Sequence, residues 1–310
     1  MNKNKIKNIA GLTLIEIMIG IIITSIMMAA MYTTYSVVNK TYTQVTSRAK
    51  ISRSGRDIIE MIMRDVRMAG FKYFLGINES GHPTRSNLEF KTGDVSVQDS
   101  HDPLIIIENE LGYTRSGEDA VTVGKWDSLE DKCCDKIHIV YDDYNQHDDQ
   151  PYKRYKITYF AKPIPDPPAI EGTDKRYGVF KTVESWKQES SSGSWVVNCD
   201  VCYHNLLIRD HVVDMEFIPF GPEGKAILPP PRSDDDSRKD LYKIRSVDVR
   251  LTFRSHKEFY RSEAREDKPR TVKGLGDEGN EDTNRNVDYN EDKFLRDSVV
   301  VTIHTRNIGS

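Results

Sequence analysis

The sequence predicts an α+β fold, a long N-terminal α-helix whose first half is transmembrane, packed on an antiparallel β-sheet headgroup. Three observations carry this prediction. Residues 12–31 (LTLIEIMIGIIITSIMMAAM) form an apolar run interrupted by one carboxylate. Apolar residues then recur at helical spacing as far as Ala69, and beyond Phe71 short runs of branched and aromatic residues alternate with polar connections. The chain thus divides into a basic leader (1–11), a membrane-spanning half-helix (12–31), an amphipathic half-helix (32–70) and a β-rich headgroup (71–310) that carries a long charged loop at 255–296.

The first element is the spanning helix. Twenty residues at about 1.5 Å each reach about 30 Å, the thickness of a bilayer hydrocarbon core. The preceding segment, MNKNKIKNIAG, holds three lysines and no acid, so the positive-inside rule keeps it cytoplasmic and puts everything after Met31 on the far side of the membrane, outside the cytoplasm. A cleaved secretory signal has a similar start, and Ala29 and Ala30 imitate its processing site. Glu16 argues against that reading. A carboxylate four residues into an apolar run costs about 2.5 to 3.5 kcal/mol on insertion scales, and such a group ordinarily has a partner and a task.

The second half of the helix is traced by Val37, Val38, Tyr42, Val45 and Ala49, then more strongly by Ile58, Ile59, Ile62, Met63, Val66 and Ala69. Ser54-Gly55 reads as a weak point, because glycine costs about 1 kcal/mol relative to alanine inside a helix. Gly70 suits the left-handed residue beyond the helix end, with Arg64 and Arg67 favourably placed in the last turn.

Strands are expected at 104–107, 120–123, 136–141, 155–161, 178–183, 195–197, 206–220, 244–254 and 297–306. Between them, the proline-rich stretch 163–168, the run Pro229-Pro230-Pro231 and the acidic trio Asp234, Asp235 and Asp236 read as surface loops. The segment 255–296 holds too few apolar residues to fold alone and is expected to be a partly mobile insertion.

Gly11-Leu12-Thr13-Leu14-Ile15-Glu16 resembles the processing site of type IV prepilins: a glycine, a hydrophobic residue, and a glutamate at the fifth mature position. Leader charge, glycine, glutamate and apolar run all occur in register, with Leu12 where the family usually has phenylalanine. The resemblance implies a pilin-like fold, cleavage by prepilin peptidase between Gly11 and Leu12, and N-methylation of Leu12. It also implies that Glu16 neutralises an α-amino group at Leu12, its own or a neighbour's, during assembly with other pilins. A carboxylate and an ammonium in a low-dielectric bundle cost little together and much apart. The stretch from Ser54 to Phe71 is similar to that of PilW-type minor pilins and J-type pseudopilins of type II secretion, and its alternative reading is an ordinary amphipathic helix with a glycine cap.

Cys133, Cys134, Cys199 and Cys202 are disulfide candidates in an oxidising compartment. Two cross-links joining the 133/134 turn to the 199/202 turn are expected first, and a local bridge between Cys199 and Cys202 second. A four-thiolate zinc site is disfavoured by the adjacent pair, which chelates poorly. Haem attachment fails because Tyr203 follows Cys202 and the histidine comes at His204.

Asp282, Asn284, Asn286 and Asp288 alternate as calcium ligands do, but Val287 and Lys293 stand where an EF-hand needs glycine and glutamate. A solvated acidic loop is the preferred reading, and calcium the alternative. The GxGxxG at 274–279 lacks a flanking strand and helix and carries two carboxylates, so it reads as a loop. His147-Asp148-Asp149 reads as a solvated turn, and the chain holds no HExxH zinc motif or GxSxG nucleophile elbow.

A net charge of −4, with no basic patch, gives no expectation of nucleic-acid binding, and no other cofactor is expected. The expected function is a non-catalytic minor pilin that primes a type IV pilus or sits at its tip. A J-like pseudopilin is the first alternative, and a membrane-anchored periplasmic receptor or enzyme the second. A headgroup of this bulk favours a minor over a major subunit.

Overall fold

The computed structural model describes residues 13–71, 74–77, 83–85, 102–108, 133–144, 152–164, 177–188, 193–232, 238–260, 262, 265, 267–268, 270–272, 275, 287–289 and 293–308. Its elements in chain order are α1 (Leu14–Met68), β1 (Phe74–Ile77), β2 (Pro83–Arg85), β3 (Leu104–Ile107), β4 (Lys136–Tyr144), β5 (Tyr152–Pro163), β6 (Tyr177–Gln188), β7 (Gly193–Val196), β8 (Tyr203–Phe220), α2 (Arg238–Leu241), β9 (Ser246–Glu258), β10 (Arg270–Val272), β11 (Val287–Tyr289) and β12 (Phe294–His304). The chain forms two compact units, Met1–Ala49 and Lys50–Ser310.

The described part of the first unit is helix from Leu14 onward. From Leu14 to Val45 its large apolar side chains are exposed, Leu14 at 80% and Met28 at 71%.

The second unit is built on an antiparallel sheet in the order β12-β9-β8-β6-β5-β4-β3, with β7 pairing beside β6. Cross-strand partners share a face. One face is apolar: Ile139, Ile157 and Val183 lie in one row, and Met215, Leu251 and Val299 in another. The opposite face is polar, with His138, Thr158 and Thr182 in one row and Lys156 beside Glu184 in the next.

The last turns of α1 lie on the apolar face. Ile51, Ile58, Ile59, Ile62, Val66 and Ala69 are buried in one core with Tyr159, Met215, Phe217, Val249, Leu251 and Phe253. Gly55 marks the closest approach, since a Cβ there would lie 2.8 Å from Phe253 Cε2 and 3.1 Å from Val299 Cγ2. The expected weak point is thus a packing site, where the helix gives up propensity to bring its backbone onto the sheet. At the far end Gly70 adopts φ +72°, as a left-handed cap should, and donates to the Val140 carbonyl at 2.8 Å. Asn307 Nδ2 donates to the Arg67 carbonyl at 3.1 Å, satisfying an orphan acceptor of the last turn.

One charge enters this interface. Asp65 on α1 accepts from Tyr159 Oη and Lys181 Nζ, both at 2.6 Å, with all three residues buried. Burial, then the Asp65 carboxylate, raises the Tyr159 phenol far above its ordinary value. On the polar face, Arg250 joins Glu216 at 2.7 Å and Asp214 at 2.5 Å, and the backbone N–H of Leu275 donates to Glu216 at 2.9 Å.

The expected strands at 104–107, 136–141, 155–161, 178–183, 206–220, 244–254 and 297–306 correspond to β3, β4, β5, β6, β8, β9 and β12. The strand expected at 120–123 lies outside the described residues. The 255–296 segment contains more strand than its composition suggested. β9 runs on to Glu258, β10 pairs with β11, and β12 starts at Phe294, where Phe294 and Leu295 supply apolar anchors.

Candidate functional site

The chemistry-bearing part of the chain begins at Thr13. Its hydroxyl and backbone N–H both donate to Glu16 Oε2 at 2.9 Å, and the Thr13 hydroxyl accepts from the Glu16 N–H at 3.4 Å. This is a capping box: the side chains at either end of the first turn satisfy each other's orphan donors. The carboxylate also lies at the positive end of the helix dipole. The Thr-x-x-Glu spacing was legible in the sequence and supplies a partner for Glu16 that the charge argument missed. Gly11 and Leu12, the expected cleavage and methylation positions, lie outside the described residues.

From Ile17 to Asn39 the helix holds no charged residue. Several of its hydroxyls bond back within the helix. Ser25 donates to the Ile21 carbonyl at 2.7 Å, Thr33 and Thr34 to the Ala30 carbonyl at 2.8 and 2.9 Å, and Thr41 to Val37 at 2.9 Å; Thr24 likewise bonds Gly20. Such back-bonding lets a hydroxyl sit in hydrocarbon without an unsatisfied donor. Among the described residues α1 is the one helix long and apolar enough to cross a membrane.

The cysteines pair differently from the first expectation. Cys133 is bonded to Cys134, and Cys199 to Cys202. The position of the first turn on β8 explains why the two turns are not joined. The Asp135 N–H donates to the Met215 carbonyl at 2.7 Å, and the Cys133 and Cys134 sulfurs lie beside the Asp214 carboxylate. Cys202 immediately precedes the other end of that same strand, which starts at Tyr203. The twelve residues from Cys202 to Asp214 span on the order of 35 Å of extended chain. No disulfide spans that.

Asp282, Asn284 and Asn286 lie outside the described residues, as do His147, Asp148 and Asp149. Asp288 is the middle residue of β11, paired with Thr271 of β10. Among the described residues, three potential metal donors converge at Cys133, Cys134 and Asp214. The first two are consumed by their disulfide, and Asp214 is bound to Arg250.

His138, on the polar face of β4, bonds Thr158 Oγ1 through Nδ1 at 2.8 Å. Burial, reinforced by Lys136 and Lys156, holds its pKa well below the ordinary histidine range, so the ring is neutral and structural.

Residues 6–32 match the family description "Prokaryotic N-terminal methylation motif". The match frames the apolar run and includes Gly11, Leu12 and Glu16. No curated protein matches the chain. Among solved structures the chain is similar to a type IV-like pilin from Thermus thermophilus at 10% identity, covering 57% of this chain and 80% of that one with a TM-score of 0.27. A likeness that slight carries no argument about function. The long apolar N-terminal helix, the antiparallel sheet domain and the prepilin-type methylation motif stand together in one chain.

Proposed function

We propose that this chain is a non-catalytic minor pilin, anchored in the inner membrane by α1 with its sheet domain in the periplasm, and assembled through α1 with other pilins as a priming or tip subunit. The observation that carries the proposal is the methylation motif at residues 6–32, set in register with a helix that begins at Leu14, carries Glu16 in its first turn and holds no charge from Ile17 to Asn39. Prepilin peptidase cuts after Gly11, and Leu12 becomes the methylated N-terminus. The exposed apolar side chains from Leu14 to Met31 then meet lipid before assembly and neighbouring helices after it, and those from Tyr32 to Val45 are covered by neighbouring subunits in the filament. Glu16 begins in its own cap and, in the filament, turns its charge to the amine of a neighbouring subunit.

The test is processing followed by assembly. Full-length protein produced with a prepilin peptidase should lose residues 1–11 and show a methylated Leu12 by mass spectrometry, while Gly11→Ala should stay long. Normal processing of Gly11→Ala overturns the site. Deletion of the gene in its host should abolish or shorten surface filaments. Loss of a secreted protein with intact filaments would instead assign the chain to a pseudopilus, and loss of neither would leave a plain membrane anchor.

A further inference from the structure

A second site lies on the sheet, away from α1. β8 slips register against β9 between Val212 and Asp214, and against β6 between Tyr177 and Val179. At that slip His211 adopts φ +62°, a left-handed conformation that costs a histidine energy. The irregularity re-aims the His211 ring toward β9, and His211 Nε2 lies 2.7 Å from His256 Nδ1, with ring centroids 4.5 Å apart. Behind it Asp210 holds His211 at both backbone and ring. Its Oδ1 accepts the His211 backbone N–H at 2.5 Å, and its Oδ2 lies 3.3 Å from Nδ1.

A carboxylate on Nδ1 puts the proton there and leaves Nε2 as an electron-pair donor, the orientation seen behind metal-bound histidines. His256 is exposed at the open end of β9, so its ring can move. Two nitrogens at tetrahedral positions about 2.0 to 2.1 Å from zinc are about 3.3 Å apart, which asks the rings to open by about 0.6 Å.

We propose that His211 Nε2 and His256 Nδ1 form a two-histidine site for a divalent transition-metal ion of the zinc class, with Asp210 as the carboxylate that orients His211. Solvent completes the coordination, and imidazole donors select such an ion over calcium. The site pins β8 to β9 at the slip, and it is independent of the pilin reading.

The test uses tag-free full-length protein in detergent, titrated with zinc chloride by calorimetry. Wild type should bind one zinc more tightly than His256→Ala by at least about tenfold. Asp210→Asn, with both rings intact, should weaken binding by about tenfold as well. His211→Asn serves as the second ligand variant, because asparagine tolerates positive φ and keeps the backbone. X-ray absorption of zinc-loaded wild type should show two imidazole shells. Equal zinc binding by wild type and either ligand variant overturns the proposal, as does a zinc spectrum without imidazole scattering, whatever the fate of the variants.

Discussion

Asp65 on the N-terminal helix and Lys181 on β6 meet in a buried ion pair at 2.6 Å, with Tyr159 donating to the same carboxylate oxygen at the same distance. Removing one partner leaves the other charged and dry, which costs about 3 to 5 kcal/mol. Asp65→Asn and Lys181→Met should each lower the unfolding free energy, measured by urea titration in detergent, by that much. The double variant should recover a large part of the loss, because no lone charge remains. Additive losses would mean that the pair does not act as a unit.

Gly55 gives a prediction of sign. Helix propensity alone says Gly55→Ala stabilises by about 1 kcal/mol. The 2.8 Å approach of its notional Cβ to the buried Phe253 ring says the helix must lift from the sheet, at a net cost of about 1 to 3 kcal/mol. Thermal unfolding of the variant decides, and a raised midpoint would refute the packing argument.

Glu16 has two tasks that substitutions can separate. Glu16→Gln keeps the capping box but loses the charge, whereas Thr13→Val keeps the charge and loses the box. If the charge drives assembly, Glu16→Gln should abolish filaments while Thr13→Val should cost only the cap, about 1 kcal/mol of helix stability. Filament counts by electron microscopy distinguish the two, and normal filaments from Glu16→Gln would confine the residue to capping.

His138 sets an acid limit. Its folded pKa is depressed by burial and by the neighbouring Lys136 and Lys156, so the unfolded chain takes up the proton first. Stability should be full above the ordinary histidine pKa, about 6.5, and should fall as pH drops from there toward the folded value, by up to about 1.4 kcal/mol per pH unit. His138→Gln should flatten that slope in urea titrations between pH 7.5 and 5.5. An unchanged slope would place the acid sensitivity elsewhere.

The disulfides differ in what their loss should do. A bridge between Cys199 and Cys202 closes a very short loop, so Cys199→Ser with Cys202→Ser should cost under about 2 kcal/mol. A crosswise bridge closing the long loop between the two turns would be worth about 4 kcal/mol. Peptide mapping should recover both local pairs, and a linked 133–202 or 134–199 peptide would contradict the register.

Much of the architecture was legible because it rests on local pattern. β3 falls on the four residues of the Leu104 to Ile107 run, and the helix ends where Gly70 says it should. The features that escaped have their cause far along the chain. Asp65 lies 116 residues from Lys181, and nothing around either announces the other. The glycine at 55 looked like a flaw because the ring it accommodates belongs to Phe253. The cysteine pairing needed the contact between Asp135 and Met215, which puts Cys133 and Cys134 at the opposite end of β8 from Cys202 and leaves no trace in the spacing. The capping box was readable, since Thr13 and Glu16 are three residues apart, but the apolar context drew attention to charge instead of to the turn.

The hydroxyls folded back along α1 bear on how such a helix changes company. Ser25, Thr33, Thr34 and Thr41 spend their donors on their own carbonyls, so what the helix turns outward there is largely hydrocarbon. Acyl chains and the flanks of sibling helices are then nearly equivalent solvents for it. Moving between them requires neither Thr24 nor Ser25, the hydroxyls of the membrane-spanning half, to surrender a bond to its surroundings. The exchange is close to neutral over most of its length, and the direction of travel rests with the one ionised group at its start.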